Sequence, residues 1–265
     1  MHAFDYHRPS SVNEAAALAL KSEAKILAGG QSLVQAMRLS LAAPGEIVDL
    51  GMIQGLAGIT SDGKSVTIGA MTRHADVAES AEVRKAIPAL AALASLIGDR
   101  QVRHMGTLGG SIANNDPAAD YPAAVLGLGA TITTTQGTHD ADAFFTGLFE
   151  TALKPGEIIT SVSFPVPKRA GYAKFRNPAS RFAIAGVFVA DTGAGVRVVV
   201  TGAGDCVFRA PEMEQALAAK FAVESVANIR IAPDRLNTDM HASADYRAHL
   251  VTVMAKRAVE AALKG

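Results

Sequence analysis

Apolar positions along this chain fall into short runs whose spacing switches from helical to extended and back. Residues 10–22 open on Ser11-Val12-Asn13-Glu14, a hydroxyl followed three positions later by a carboxylate, and continue into an alanine- and leucine-rich run over 15–20. That pairing is the capping-box start of a helix. Residues 25–28 and 46–50 read as strands, and 33–39 between them as an amphipathic helix. Strand, glycine turn, helix and strand make a small α/β unit that ends near residue 56.

The pattern then changes. Ile59-Thr60 and Ser65-Val66-Thr67-Ile68-Gly69 flank Ser61-Asp62-Gly63-Lys64, which predicts a hairpin. A helical stretch starts at Thr72, and Pro88 marks the start of the next helix, over residues 89–97. The β-branched run 130–135 and the alternating run 157–164 predict strands, and Pro165-Val166-Pro167 closes the second of them. Beyond that proline pair, residues 183–190 and 196–201 read as strands joined by Thr192-Gly193-Ala194-Gly195. Helical patterns follow at 211–219, 222–229 and 244–262. The expected class is α+β. Three units are expected: an N-terminal α/β lobe over 1–56, a second α+β lobe over 57–167, and a C-terminal α+β domain over 168–265.

Two glycine segments interrupt the periodic runs, Ala28-Gly29-Gly30-Gln31-Ser32 and Thr107-Leu108-Gly109-Gly110-Ser111. A glycine lets the backbone turn sharply and approach a ligand with no Cβ in the way. The amides at a following helix start suit an anion. The second segment runs on through Ile112-Ala113-Asn114-Asn115-Asp116-Pro117-Ala118-Ala119-Asp120. Its hydroxyls, amides and carboxylates suffice for a diphosphate and a polyol. Neither segment is a P-loop or a G-x-G-x-x-G fingerprint. Ser32 also suits an ordinary helix N-cap, Asp116-Pro117 reads as a turn, and Asp120 also stands where it can cap a helix at Tyr121-Pro122.

Composition narrows the chemistry. The 265 residues carry 49% hydrophobic and 19% charged residues, with 25 basic against 25 acidic, so the charge balance advertises no nucleic-acid face. No apolar run approaches a membrane span, and Met1-His2-Ala3-Phe4-Asp5 is unlike a secretory signal; a cytoplasmic protein is expected. Cys206 is the one cysteine, so the chain can neither form an internal disulfide nor ligate an iron–sulfur cluster alone. A small buried hydrophobe is its plain role. The seven histidines are scattered with no metal-ligand spacing, and there is no nucleophile elbow; neither a metal site nor a catalytic side chain is predicted.

Several motifs, in order, resemble a known family. They are Met1-His2-Ala3-Phe4-Asp5-Tyr6-His7-Arg8-Pro9, the two glycine segments, Tyr172-Ala173-Lys174-Phe175-Arg176 with Phe182-Ala183, and Ser243-Ala244-Asp245-Tyr246-Arg247. The chain resembles, over nearly its whole length, the FAD-binding medium subunits of the molybdenum hydroxylases, the xanthine dehydrogenase and carbon monoxide dehydrogenase group. The resemblance implies a two-lobed FAD-binding domain of the vanillyl-alcohol-oxidase type and a C-terminal α+β domain with a small antiparallel sheet. FAD would lie extended between the lobes, with its pyrophosphate on the amides of Ala28, Gly29, Gly30, Gln31 and Ser32, between Leu27 and Leu33. Thr107, Gly109, Gly110, Ser111 and Ala113 would contact the flavin, and Asn114 and Asp120 its hydroxyl groups. Ile97, Gly98 and Ile159 would pack beside the isoalloxazine, and Lys174 would stand near its N1–C2=O edge. Gln31 cannot form the covalent tether that a histidine makes in some flavoproteins of this fold, so the FAD would be dissociable.

The implied role is electron transfer, with a molybdenum cofactor on a large partner subunit and [2Fe-2S] clusters on a small one, assembled as a dimer of heterotrimers. Two other jobs remain open on this fold. One is a stand-alone flavin reductase or oxidase, and the other is a nucleotide-binding subunit without catalysis.

Overall fold

The computed structural model describes residues 2–265. The N-terminal part is built on a three-stranded parallel sheet in the order β1-β3-β2. It runs β1 (Asp5–His7), α1 (Val12–Ala19), β2 (Ala24–Leu27), α2 (Leu33–Arg38) and β3 (Glu46–Asp49). Ser11 caps α1 by accepting from the Glu14 amide at 3.2 Å. The reciprocal half of the predicted capping box shifts by one residue, because the Glu14 carboxylate takes the Ser10 amide at 2.9 Å instead. Val48, Leu50, Ile53 and Leu56 pack with Ala15, and Ile158 enters this cluster from the far side of the second glycine segment.

Next comes a five-stranded antiparallel sheet ordered β4-β5-β10-β6-β7. Its first hairpin is β4 (Ile59–Ser61) and β5 (Ser65–Gly69), as the Ser-Asp-Gly-Lys turn predicts. Six helices follow: α3 (His74–Glu79), α4 (Ala81–Ala86), α5 (Pro88–Ser95), α6 (Arg100–Met105), α7 (Leu108–Asn114) and α8 (Tyr121–Leu128). Then come β6 (Thr131–Thr134), β7 (Gly137–Asp140), the single turn α9 (Ala141–Phe144), the small hairpin β8 (Phe145–Gly147) with β9 (Glu150–Thr151), and β10 (Ile159–Pro165). Every residue of α8 is buried, which explains why its apolar run shows no sidedness.

The C-terminal part is a four-stranded antiparallel sheet, β11 (Arg169–Arg176), β12 (Ala183–Asp191), β13 (Val196–Thr201) and β14 (Phe208–Arg209). It is followed by α10 (Pro211–Ala219), α11 (Val223–Val226) and the long α12 (Ala244–Lys264). Helix α12 lies across the sheet so closely that a Cβ on Gly171 would stand 2.1 Å from the Ala258 carbonyl oxygen. Arg247 on α12 is buried and donates to the carbonyls of Ile184 at 2.6 Å and Gly202 at 2.7 Å, tying the helix to the sheet. On the opposite face, Phe188 of β12 packs against α8 at Gly127.

The sequence reading differs from the structure most around the second glycine segment. Helix α7 stands where the residues read as loop, with α6 directly before it. The glycines of α7 lower its intrinsic helicity. They are there because the helix is pressed on the end of β5: a Cβ on Gly109 would stand 2.6 Å from the Ala70 Cβ.

Candidate cofactor-binding site

The first glycine segment links β2 to α2. Gly30 sits at φ +72°, in the left-handed region. A Cβ on Gly29 would lie 2.1 Å from the Met105 carbonyl oxygen and 2.7 Å from the Gly106 Cα, so this loop is pressed onto the junction of α6 and α7. Among the described residues, the amides of Gly29, Gly30, Gln31, Ser32 and Leu33 have no internal hydrogen-bond partner; the Val34 amide is the first to bond back, to the Gly30 carbonyl at 3.1 Å. Ser32 occupies the cap position of α2 without making a side-chain cap. The Gln31 amide side chain folds back toward the Gly29 carbonyl, at 3.4 Å.

The second segment works differently, and the expectation that its amides face an anion is corrected. Thr107 caps α7 through its hydroxyl, which accepts from the Gly110 amide at 3.2 Å. The Leu108 amide donates to the Thr72 carbonyl at 3.0 Å and the Gly109 amide to the Ala70 carbonyl at 2.8 Å. The first three amides of the helix are therefore used internally. What α7 offers instead is a face. Thr107, Gly110, Ser111 and Asn114 recur at helical spacing along one side, where they line a cavity. The Ser111 hydroxyl and the Asn114 amide group make no hydrogen bond among the described residues. At Gly110 the helix comes so near the first loop that a Cβ there would stand 3.3 Å from that of Ala28.

The cavity between these segments measures about 640 Å³. Sixteen of the eighteen residues expected at the site line it: Ala28, Gly29, Gly30, Gln31, Ser32, Leu33, Ile97, Gly98, Thr107, Gly109, Gly110, Ser111, Ala113, Asn114, Asp120 and Ile159. Leu27 and Lys174 do not reach the wall. Leu27 lies beneath the first loop, its Cδ1 3.3 Å from the position of a Cβ on Gly30.

Lys174 is held elsewhere by electrostatics. Its ammonium donates to Asp120 at 2.9 Å, with side chains 2% and 4% exposed, and the Tyr172 hydroxyl donates to the other oxygen of the same carboxylate. Burial pushes the Asp120 carboxyl up, against the pull of Lys174 and Tyr172; burial and the neighbouring Asp120 raise the Tyr172 phenol far above its ordinary value. A buried ammonium needs a counter-charge close by. Asp120 supplies it rather than capping α8, where its side chain makes no cap.

Sequence reading did not single out His74, Phe149 or Arg181, all of which line the cavity. His74 starts α3 and is 5% exposed, its ring tilted against that of Tyr121 with centroids 5.3 Å apart, and has no partner for Nδ1. Burial, and secondarily the charge of Arg103, pushes its pKa down to about 4 from an ordinary 6.5. The folded state thus favours the neutral ring, and its contribution is fully present above pH 6.5. It is lost as pH falls toward 4, because the unfolded chain takes the proton first. The full loss is about 3 kcal/mol by linkage. We expect His74→Phe to flatten the fall in unfolding free energy between pH 6.5 and 4; an unchanged slope in denaturant titrations would refute the assignment.

The family described as "FAD binding domain in molybdopterin dehydrogenase" matches residues 2–167. The chain is 36% identical to the carbon monoxide dehydrogenase medium chain of Afipia carboxidovorans, over 98% of this chain and 96% of the relative. It is 33% identical to the nicotine 6-hydroxylase medium subunit of Paenarthrobacter nicotinovorans, over 97% and 96%. Its structure superposes with a TM-score of 0.87 on a chain of carbon monoxide dehydrogenase from Hydrogenophaga pseudoflava, at 36% identity, covering 98% of this chain and 97% of that one.

Proposed function

Since this chain belongs to the family of FAD-binding medium subunits of the molybdenum hydroxylases, we propose that it is the electron-transfer subunit of a heteromeric dehydrogenase. It takes electrons from iron–sulfur clusters on a small partner subunit and passes them to an external acceptor. A large partner subunit carries the molybdenum cofactor, and the assembly is a dimer of heterotrimers in the cytoplasm. The lone Cys206 supports the division of labour, because clusters take several thiolates. We place the lobe boundaries near residues 56 and 167.

The observation that carries this reading is the run of five consecutive unpaired amides, Gly29 to Leu33, facing the polar side of α7 across the cavity. These amides line the cavity without partners within the chain, and N–H groups left free at a glycine turn fit a pyrophosphate. The cavity volume of about 640 Å³ falls within the range of cofactor sites. The residues therefore fit FAD. Gly29 lets the first loop press onto the junction of α6 and α7 and Gly30 takes its left-handed turn, a backbone path that would leave the loop's amides free for the phosphates. Ser111 and Asn114 present unpaired hydrogen-bonding groups to the ribityl and ribose hydroxyls, and the Asp120 carboxylate stands in the same wall. Ile97, Gly98 and Ile159 give an apolar lining to the planar end and exclude water from it. When bound, FAD supplies the chemistry of accepting and releasing electrons.

The test is composition of the protein purified from its native source under mild conditions. We expect about one FAD per chain, released entirely to the supernatant by acid precipitation, together with iron and molybdenum in subunits of a larger assembly. Flavin that stays with the precipitate would defeat the non-covalent reading. A single flavoprotein turning over substrate without iron or molybdenum would favour the stand-alone enzyme.

A further inference from the structure

The hairpin of β8 and β9 turns through Leu148 and Phe149, with Gly147 paired to Glu150. Phe149, the second central residue, has φ +55°. A turn with positive φ at that place takes glycine or asparagine, and a bulky side chain there is strained. The strain is held in place by Asn115. This residue ends α7 in its own left-handed conformation, at φ +42°, and is 1% exposed. Its amide donates to the Gly147 carbonyl at 2.9 Å and to the Glu150 carbonyl at 2.8 Å, clamping both ends of the turn.

The chain's own packing gives no use for the ring so presented. Phe149 is 56% exposed, joins none of the hydrophobic clusters and stacks on no other aromatic side chain among the described residues. It does line the cavity, along with Ile159 and Asn114. Helix α7 thus carries the polar wall along its side and, at its C-terminal end, fixes the turn that sets an aromatic ring at the mouth.

We propose that Phe149 is the aromatic cover of the site, stacking on a planar ring of the bound FAD. The inference rests on the FAD reading above and adds a cofactor-contacting residue to it. A side chain held in an unfavourable conformation for ligand contact and not for packing is strain stored at a functional site. Offset stacking of aromatic rings supplies the gain.

The experiment uses the full chain freed of flavin and titrated with FAD, followed by flavin fluorescence, for the wild type, Phe149→Gly and Phe149→Tyr. Phe149→Gly is expected to weaken FAD binding about tenfold, equivalent to about 1.4 kcal/mol. Its flavin-free form should melt no lower than the wild type, since glycine suits positive φ. Phe149→Tyr should bind within about twofold of the wild type. Titration with FMN, which lacks adenine, identifies the ring: an equal loss for FMN places Phe149 on the isoalloxazine, and a loss for FAD alone places it on the adenine. FAD affinity unchanged in Phe149→Gly overturns the inference. A wild-type chain that binds no FAD would instead overturn the underlying FAD reading.

Discussion

Valine in place of Gly30 is expected to leave the protein without flavin. At φ +72° a β-branched residue is strained before any contact is counted. Its Cβ would also stand 3.0 Å from Val34 Cγ2 and 3.3 Å from Leu27 Cδ1, so the loop must rotate. Rotation turns away the unpaired amides of Gly29 to Leu33, the groups that meet the pyrophosphate in our reading. Losing two charge-assisted hydrogen bonds of about 1.5–3 kcal/mol each lowers affinity by two to four orders of magnitude. Gly110→Val should act alike, since its Cβ would meet Thr107 Oγ1 at 2.9 Å and Ala28 Cβ at 3.3 Å, spoiling the cap of α7 and filling the cleft. Gly45→Ala is the control. Its Cβ would touch the far end of the flexible Glu23 side chain at 2.9 Å and nothing in the cavity. The ratio of flavin to protein absorbance after gel filtration reads all three. Wild-type flavin content in both valine variants would remove the loops from the site.

Much of this arrangement was legible in the sequence because it depends on local rules. The hairpin at Ser61-Asp62-Gly63-Lys64 is fixed by turn chemistry, and the Asp62 carboxylate takes the amides of Lys64 and Ser65. Strands β12 and β13 follow from apolar runs on either side of a glycine-rich turn. Helix α7 was hidden because its helicity comes from tertiary contact: Gly109 and Gly110 are poor helix formers held in place by Ala70, Thr72 and Ala28. The strand β1 was hidden for a related reason. Asp5–His7 is short and polar, and pairs with β3 through a parallel ladder across some forty residues.

At the site the same division holds. Glycines announce where a backbone must come near something, and thereby gave the two loops. They do not say which amides remain free, because that depends on carbonyls far along the chain, such as Ala70 and Thr72. His74 and Phe149 carry no local signature at all: one is defined by burial beside Tyr121, the other by the reach of Asn115. Lys174 shows another limit: its motif puts it near the flavin by resemblance, but does not reveal that the chain's own Asp120, more than fifty residues away and in the cavity wall, takes the ammonium.

That pair sets the second large expectation. Asp120→Ala leaves the Lys174 ammonium buried with no counter-charge and the Tyr172 hydroxyl with no acceptor. Removing one member of a buried pair costs about 3–5 kcal/mol, which for a chain of this length lowers the melting temperature by about 10 °C. The loss stems chiefly from the stranded cation, so removing that cation as well should restore much of the stability. In Asp120→Leu combined with Lys174→Met, apolar side chains of similar volume replace the pair. Such replacements are close to neutral or stabilising; the Tyr172 hydroxyl still lacks its acceptor, at about 1–3 kcal/mol, so the double variant should recover much but not all of the lost melting temperature. Flavin affinity then separates scaffold from contact. If Asp120 meets the cofactor's hydroxyl groups as well as Lys174, the restored double variant will still bind FAD about tenfold more weakly, the loss of one hydrogen bond to a charged group. Full recovery of affinity would make Asp120 a structural counter-ion alone. An Asp120→Ala chain that melts with the wild type would show that the ion pair does not hold the site together.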